Sequence, residues 1–229
     1  ANDLSVYIQD GKILAVTDQN LPCDSIIDAH GAYVAPGFVD IHIHGAGGCD
    51  FLDNTPDAFC TVSKVCAEHG ATTLVPTVTS STPKAMNDAV RTFELVKDKC
   101  EGANLAGLHF EGPYFALSQK GAQDEKYIKA FDKEEYEKII SSTDSILRWT
   151  AAPELDGASD FARYLTSHGV LPCIGHSDAD STCALEALSN GFSHVTHLYS
   201  CTSSVHRRNA FRYAGIVEAA YLADDMTVE

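Results

Sequence analysis

The sequence predicts an α/β protein, an incomplete (β/α)8 TIM barrel led in by a small antiparallel sheet, and three observations carry that prediction. From Tyr33 onward, short apolar runs alternate with amphipathic segments, the pattern of β/α units around a parallel sheet. Six such runs are complete and a seventh begins near Met226, whereas a closed barrel needs eight strands and typically ~250 residues. Histidines and a glutamate stand at the ends of these runs, on the rim where such a barrel gathers its functional side chains.

Leu4 to Asp18 read as two strands, L-S-V-Y-I-Q and K-I-L-A-V-T, joined at Asp10-Gly11, a pair favoured in a tight type I′ hairpin. A third short strand, S-I-I-D-A, is expected near Ser25. This opening unit, residues 1–34, has so few strands that it needs partners from further chain. The barrel takes residues 35–229, with strands expected at 38–44, 72–77, 105–111, 146–152, 170–176 and 194–199. Thr55-Pro56 opens a helix whose apolar stripe is Phe59, Val62 and Cys66, ended by Gly70. Ser81-Thr82-Pro83 caps the next, with Ala85, Ala89, Val90, Phe93 and Val96 on one face. Further helices are expected from about Asp178 to Asn190 and near Gly215 to Leu222. Six strands and the start of a seventh leave open edges, so the 229 residues are expected to be a piece of a longer chain whose remainder completes the barrel.

Composition narrows the function. With 45% hydrophobic and 21% charged residues, the chain is that of a globular protein with a sizeable core. No apolar run approaches the ~20 residues of a membrane-spanning helix, and Ala1 to Lys12 lacks the basic-then-apolar layout of a signal peptide, so no membrane partner and a cytoplasmic location are expected. The formal charge of −16 repels phosphate backbones, which argues against nucleic acid as a partner. An anionic substrate would need a local basic pocket. The eight cysteines include no C-x-x-C pair and read as free thiols, nearly all in the core.

The chemistry lies at the strand ends. In H-x-H, alternation points His42 and His44 to one face of the first strand, and G-A-G-G beyond leaves room for a ligand; the plain alternative is two core histidines bonded to backbone. Glu111 ends the third strand in H-F-E-G-P, where a carboxylate is either solvated, paired or metal-bound. His109, two residues earlier, also points inward, as a ligand or as support for one. His176 ends the fifth run and His197 the sixth. Two imidazoles and one carboxylate from three strands are the ligand types of a catalytic zinc site with a position left for water. His194 alternates to the other face, and His69 and His168 precede helix-ending glycines, where a cation suits the helix dipole.

The stretches V-A-P-G-F-V-D-I-H-I-H-G, G-A-T-T-L-V-P-T, L-H-F-E-G-P-Y, A-P-E, G-H-S-D-A and T-H-L-Y, in that order, resemble the N-acetylglucosamine-6-phosphate deacetylases, a branch of the metal-dependent amidohydrolases. The resemblance implies a barrel of the amidohydrolase type with a small β-sandwich built from both chain ends, and a homodimer acting on a phosphorylated amino sugar. It makes Glu111, His176 and His197 the main metal ligands and His42 and His44 the ligands of a second ion. One or two divalent ions are expected, zinc first, with iron, manganese or cobalt as alternatives. For the substrate it points to Ala122 and Gln123, where the family has K-G-A-H, to Ser200 and Cys201, where it has Asn-Ala, and to Arg208 for the phosphate, with Arg207 and Arg212 as rivals.

The expected reaction is hydrolytic deacetylation of N-acetylglucosamine 6-phosphate by the full-length protein. The family's general base, an aspartate after the seventh strand, is expected beyond Glu229, so no catalytic base is assigned within the 229 residues and this chain alone is expected to be inactive. Gln123 and Ser200 keep open an amidohydrolase for another N-acyl sugar or a cyclic amide. The missing base keeps open a catalytically silent metal-binding fragment.

Overall fold

A computed structural model describes residues 4–229, which fall into two compact units that divide between Pro36 and Gly37. In the first unit, β1 (Ser5–Gln9) and β2 (Lys12–Thr17) form an antiparallel hairpin. Asp10 and Gly11 turn it with φ of 51° and 72°, the positive values that a type I′ turn demands. The strand expected near Ser25 does not form. A strand needs a partner for its backbone groups, and Ile26 and Ile27 are 82% and 96% exposed with no ladder beside them.

The second unit holds the barrel strands β3 (Phe38–Ile43), β4 (Ala71–Thr79), β5 (Leu108–Glu111), β6 (Ile146–Ala151), β7 (Leu171–Ile174), β8 (His194–Val195) and β9 (Thr227–Val228). Each pairs in parallel with its neighbour in the chain, so their order in the sheet is their order in the sequence, as in an incomplete TIM barrel. β3 and β9 are its edges, and Phe38 and Val39 lie exposed on the first.

Connecting helices start where the sequence marks them. α1 (Pro56–Glu68) and α2 (Pro83–Val96) have Thr55 and Thr82 as N-caps, each accepting a hydrogen bond from the third residue on, and a proline in the first turn. Asp132 and Asp180 cap α3 (Lys133–Ile140) and α5 (Ser181–Ser189), while α4 (Ala158–Ser167) and α6 (Ile216–Leu222) complete the set. The apolar faces of α3 and α4 close over the sheet through an aromatic cluster of Tyr114, Phe131, Tyr136, Trp149 and Phe161. There Trp149 donates its indole N–H to the Gly112 carbonyl at 2.8 Å.

Three expected strands are shorter than their apolar runs. The run at 105–111 breaks at Ala106-Gly107, where the backbone approaches β6 so closely that a Cβ on Gly107 would lie 2.4 Å from Leu147 Cγ. The runs ending at His176 and His197 stop at Ile174 and Val195. Beyond those points the chain leaves the ladder to put the two histidines at φ of 48° and 34°, backbone positions that few non-glycine residues occupy and that gather at functional sites.

The cysteine expectation is overturned in part. Cys60 of α1 and Cys100 after α2 form a disulfide, their Cα atoms 4.8 Å apart. Of the other six, only Cys66 and Cys173 are buried. Sequence spacing could not show this, because the two residues meet only when α1 and α2 pack side by side.

α2 is also tied to the loop before β6. Glu94 accepts hydrogen bonds from Thr143 and Ser145 and pairs with Lys97 at 2.7 Å. Burial works against its charge, but these donors outweigh it and hold the carboxyl down at about 2, from an ordinary 4.5. A depressed carboxyl contributes stability that is complete above its unfolded pKa and lost on the way down to its folded one. Glu94→Gln is therefore expected to lower the urea midpoint at pH 7, and the gap from the parent protein should close between pH 4.5 and about 2.

Candidate metal centre

Five of the expected ligands converge. His42 lies in β3 and His44 just after it, Glu111 is the last residue of β5, and His176 and His197 follow β7 and β8 by two residues. One carboxylate oxygen of Glu111 lies 3.0 Å from Nε2 of both His176 and His197 and 3.4 Å from Nε2 of His42. Its other oxygen is 3.3 Å from His44 Nε2. The imidazole pairs are equally close, 3.2 Å between His176 and His197 and 3.3 Å between His42 and His44. Two groups of mutually close donor atoms result, His42-His44-Glu111 and Glu111-His176-His197, with the carboxylate common to both.

Hydrogen bonds on the far side of each ring show what the cluster fits. His176 Nδ1 donates to the Gln119 carbonyl at 2.8 Å, His197 Nδ1 to the Ser200 carbonyl at 2.7 Å and His42 Nδ1 to Glu229 at 2.7 Å. Those partners only accept, so Nδ1 carries a proton and each ring turns its Nε2 inward. Lone pairs and a carboxylate facing one another at 3.0–3.4 Å repel unless a cation or protons lie between them. The spacing matches that of ligands around a tetrahedral ion, roughly 3.3 Å for bonds of ~2.0–2.1 Å. Without a cation, protons take its place. Burial opposes a charged His42, but its hydrogen bonds to Glu111 and Glu229 push the ring up to about 9. Burial likewise opposes charge on Glu111, and the surrounding imidazoles of His176, His197, His42 and His44 outweigh it, holding the carboxyl well below its usual range.

His109 joins neither group. It is fully buried between the hydroxyls of Thr150 at 2.7 Å and Thr77 at 3.1 Å, with its ring edge-on to His42. Burial and then the charge of Arg148 hold its pKa well down, so it packs as a neutral ring behind the ligands. His69 and His168 cap α1 and α4 and bond to backbone carbonyls of their own helices, the plain reading the sequence favoured.

Of the substrate candidates, Gln123 is buried, donating to Glu111 at 2.7 Å and accepting from the Ser80 N–H at 3.0 Å. Ser200 lends its carbonyl to His197. Cys201 borders the site, since a Cβ on Gly121, itself at φ +54°, would meet its Sγ at 2.5 Å and His176 Cε1 at 3.6 Å. Ala122 is exposed on the same loop. Arg208 lies on an exposed hairpin, its guanidinium 4.4 Å over the Tyr213 ring, with Arg207 and Arg212 paired across the two strands. Sequence reasoning missed Glu229 and Arg148. The available signal was a charged residue inside one short barrel strand and another directly after one, where a buried ion needs a partner.

The chain also resembles known proteins. The amidohydrolase family model matches residues 25–133. The N-acetylglucosamine-6-phosphate deacetylase of Vibrio furnissii is 36% identical over 196 residues, 85% of this chain and 48% of that protein. That of Bacillus subtilis is 30% identical over 98% of this chain and 58% of its own length. The chain thus spans about half the length of the curated relatives it matches. Among solved structures, the deacetylase of Pasteurella multocida superposes with a TM-score of 0.88 at 27% identity, over 99% of this chain and 59% of that one. A variant of the Mycobacterium smegmatis deacetylase in complex with N-acetyl-D-glucosamine-6-phosphate superposes with a TM-score of 0.87, at 27% identity over 97% of this chain and 57% of that one. By its sequence, its incomplete barrel and the residues gathered on its rim, the chain resembles N-acetylglucosamine-6-phosphate deacetylases along most of its length, and its residues 25–133 match the amidohydrolase family.

Proposed function

We propose that the full-length protein hydrolyses N-acetylglucosamine 6-phosphate to glucosamine 6-phosphate and acetate. The observation that carries this reading is the Glu111 carboxylate shared between two imidazole pairs, in a chain that resembles deacetylases throughout. Glu111, His176 and His197 would hold one divalent ion and His42, His44 and Glu111 a second, zinc being the first choice for imidazole and carboxylate ligands. When bound, the ion supplies the Lewis acidity that polarises an amide carbonyl and acidifies water. The chain's own residues prepare the site. Gln119 and Ser200 fix the tautomers of His176 and His197 through their carbonyls, and Gln123 steadies the Glu111 oxygen nearest His44. Arg208, with Arg207 and Arg212 as rivals, would take the sugar phosphate in a chain of charge −16. The general base lies, in this reading, beyond Glu229, as does the chain that completes the barrel and the small sheet of residues 1–34.

The described helices include none long and apolar enough to cross a membrane. We place the protein in the cytoplasm, because a phosphorylated sugar does not cross a membrane unaided, and the resemblance to the deacetylases supports a homodimer. In that compartment the Cys60 and Cys100 thiols would be kept largely reduced. The test is acetate release from the phosphosugar by zinc-loaded full-length protein and by the 229-residue chain. Turnover by the first and none by the second is expected. A full-length protein that ignores this sugar but cleaves another amide would refute the substrate, and turnover by the short chain would refute the placement of the base.

A second reading, another N-acyl sugar or a cyclic amide, is favoured by Gln123, which is already committed to Glu111 and Ser80 where the family has a histidine facing the substrate. If the phosphosugar is the substrate, Gln123→His in the full-length enzyme should raise kcat/KM for it. A fall, together with faster cleavage of a different amide by the parent enzyme, would favour the alternative.

A further inference from the structure

Arg148 is buried in the middle of β6, where an unpaired guanidinium would be costly. It reaches past β7 and β8 to Glu229, beside β9, with one nitrogen 2.5 Å from Oε2 and another 3.0 Å from Oε1. The second nitrogen also donates to Thr196 Oγ1 at 2.9 Å. This two-pronged grip fixes the carboxylate plane. Oε1 of Glu229 then accepts the His42 Nδ1 proton at 2.7 Å, from the opposite edge of the sheet, while His194 Nε2 lies 3.7 Å from Oε2. His42 is thereby held with its Nε2 toward Glu111 and His44. His176 and His197 obtain the same orientation from neutral backbone carbonyls. Among the described ligand rings, His42 alone is oriented by a carboxylate, and a carboxylate behind an imidazole raises its strength as a ligand.

We propose that Glu229, gripped by Arg148, is a positioning residue for one of the two cation positions. Occupancy of the His42-His44-Glu111 position depends on this pair, and that of the Glu111-His176-His197 position does not. The inference rests on the two-ion reading of the cluster. A purely structural ion pair would stabilise the barrel without distinguishing the two positions.

The test is calorimetric titration of metal-free full-length protein with zinc, repeated with cobalt(II) to follow its visible absorption. The parent protein is expected to bind two ions. Glu229→Gln should weaken one of them by about 10–100-fold, the usual effect of losing a group that orients a ligand, and leave the other unchanged. Cobalt absorption should change only in the part contributed by the weakened ion. Arg148→Met combined with Glu229→Leu strands no buried charge and should show the same selective loss, with its fold checked by circular dichroism. Two unchanged affinities in either folded variant would overturn the proposal, as would an equal weakening of both ions. A parent protein that binds a single ion would also overturn it, while leaving the deacetylase reading to be judged on acetate release alone.

Discussion

Glu111→Gln is expected to weaken cation binding by more than ~100-fold and to remove turnover with it, since the loss of even a supporting group costs 10–100-fold. Glutamine keeps the volume of the buried side chain and an oxygen that can bond, so the change isolates charge. Glu111 is the one anion among the donors of both groups, and without it the four imidazoles offer only neutral nitrogens to a divalent ion. The loss also has a readout in stability. An ion that binds only the folded state adds RT ln(1 + [L]/Kd), about 2.7 kcal/mol at 100 Kd, and the melting temperature rises accordingly. Zinc should raise the melting temperature of the parent protein and leave that of Glu111→Gln unchanged at the same concentration. A variant stabilised by zinc as strongly as the parent would show that the shared carboxylate is not a ligand.

Reduction of the Cys60–Cys100 bridge is expected to cost about 4 kcal/mol, the loop-entropy value for residues 40 apart in sequence. For a chain of this length that corresponds to a fall in Tm of about 8–16 °C. The bridge ties α1 to the turn after α2, so its loss loosens α1 against α2 and against β4. Trp149, the single tryptophan, packs in the aromatic cluster under α3 and α4 and reports the transition by fluorescence. Oxidised and reduced protein should melt at clearly different temperatures, and the double variant Cys60→Ser, Cys100→Ser should melt like the reduced protein with or without reductant. Identical melting of the oxidised and reduced parent would show that the bridge closes no constraint the fold does not already impose.

Much of the fold was legible in the sequence because it rests on local physics. The barrel strands follow from apolar runs, α1 and α2 from Thr-Pro caps, and the β1–β2 turn from Asp10-Gly11, each a preference decided within a few residues. The expected strand near Ser25 failed for a non-local reason, the lack of a partner beside Ile26 and Ile27. The ends of β7 and β8 were misplaced because the hydrophobic pattern continues through residues whose backbone has already turned out of the ladder to present His176 and His197.

The sequence by itself determined the fold class and nominated the five candidate ligands, strand alternation and the common rim of a barrel pointing to them and the family resemblance setting them apart from His109. Only the tertiary structure decided how they are arranged. That Glu111 is shared between two imidazole pairs, that Gln123 is bonded to it, that Cys60 meets Cys100 and that Arg148 grips Glu229 behind His42 are contacts between strands and helices far apart in the chain. Such contacts are set by how elements pack and by the need of every buried charge for a partner, and neither is written in the local pattern of residues.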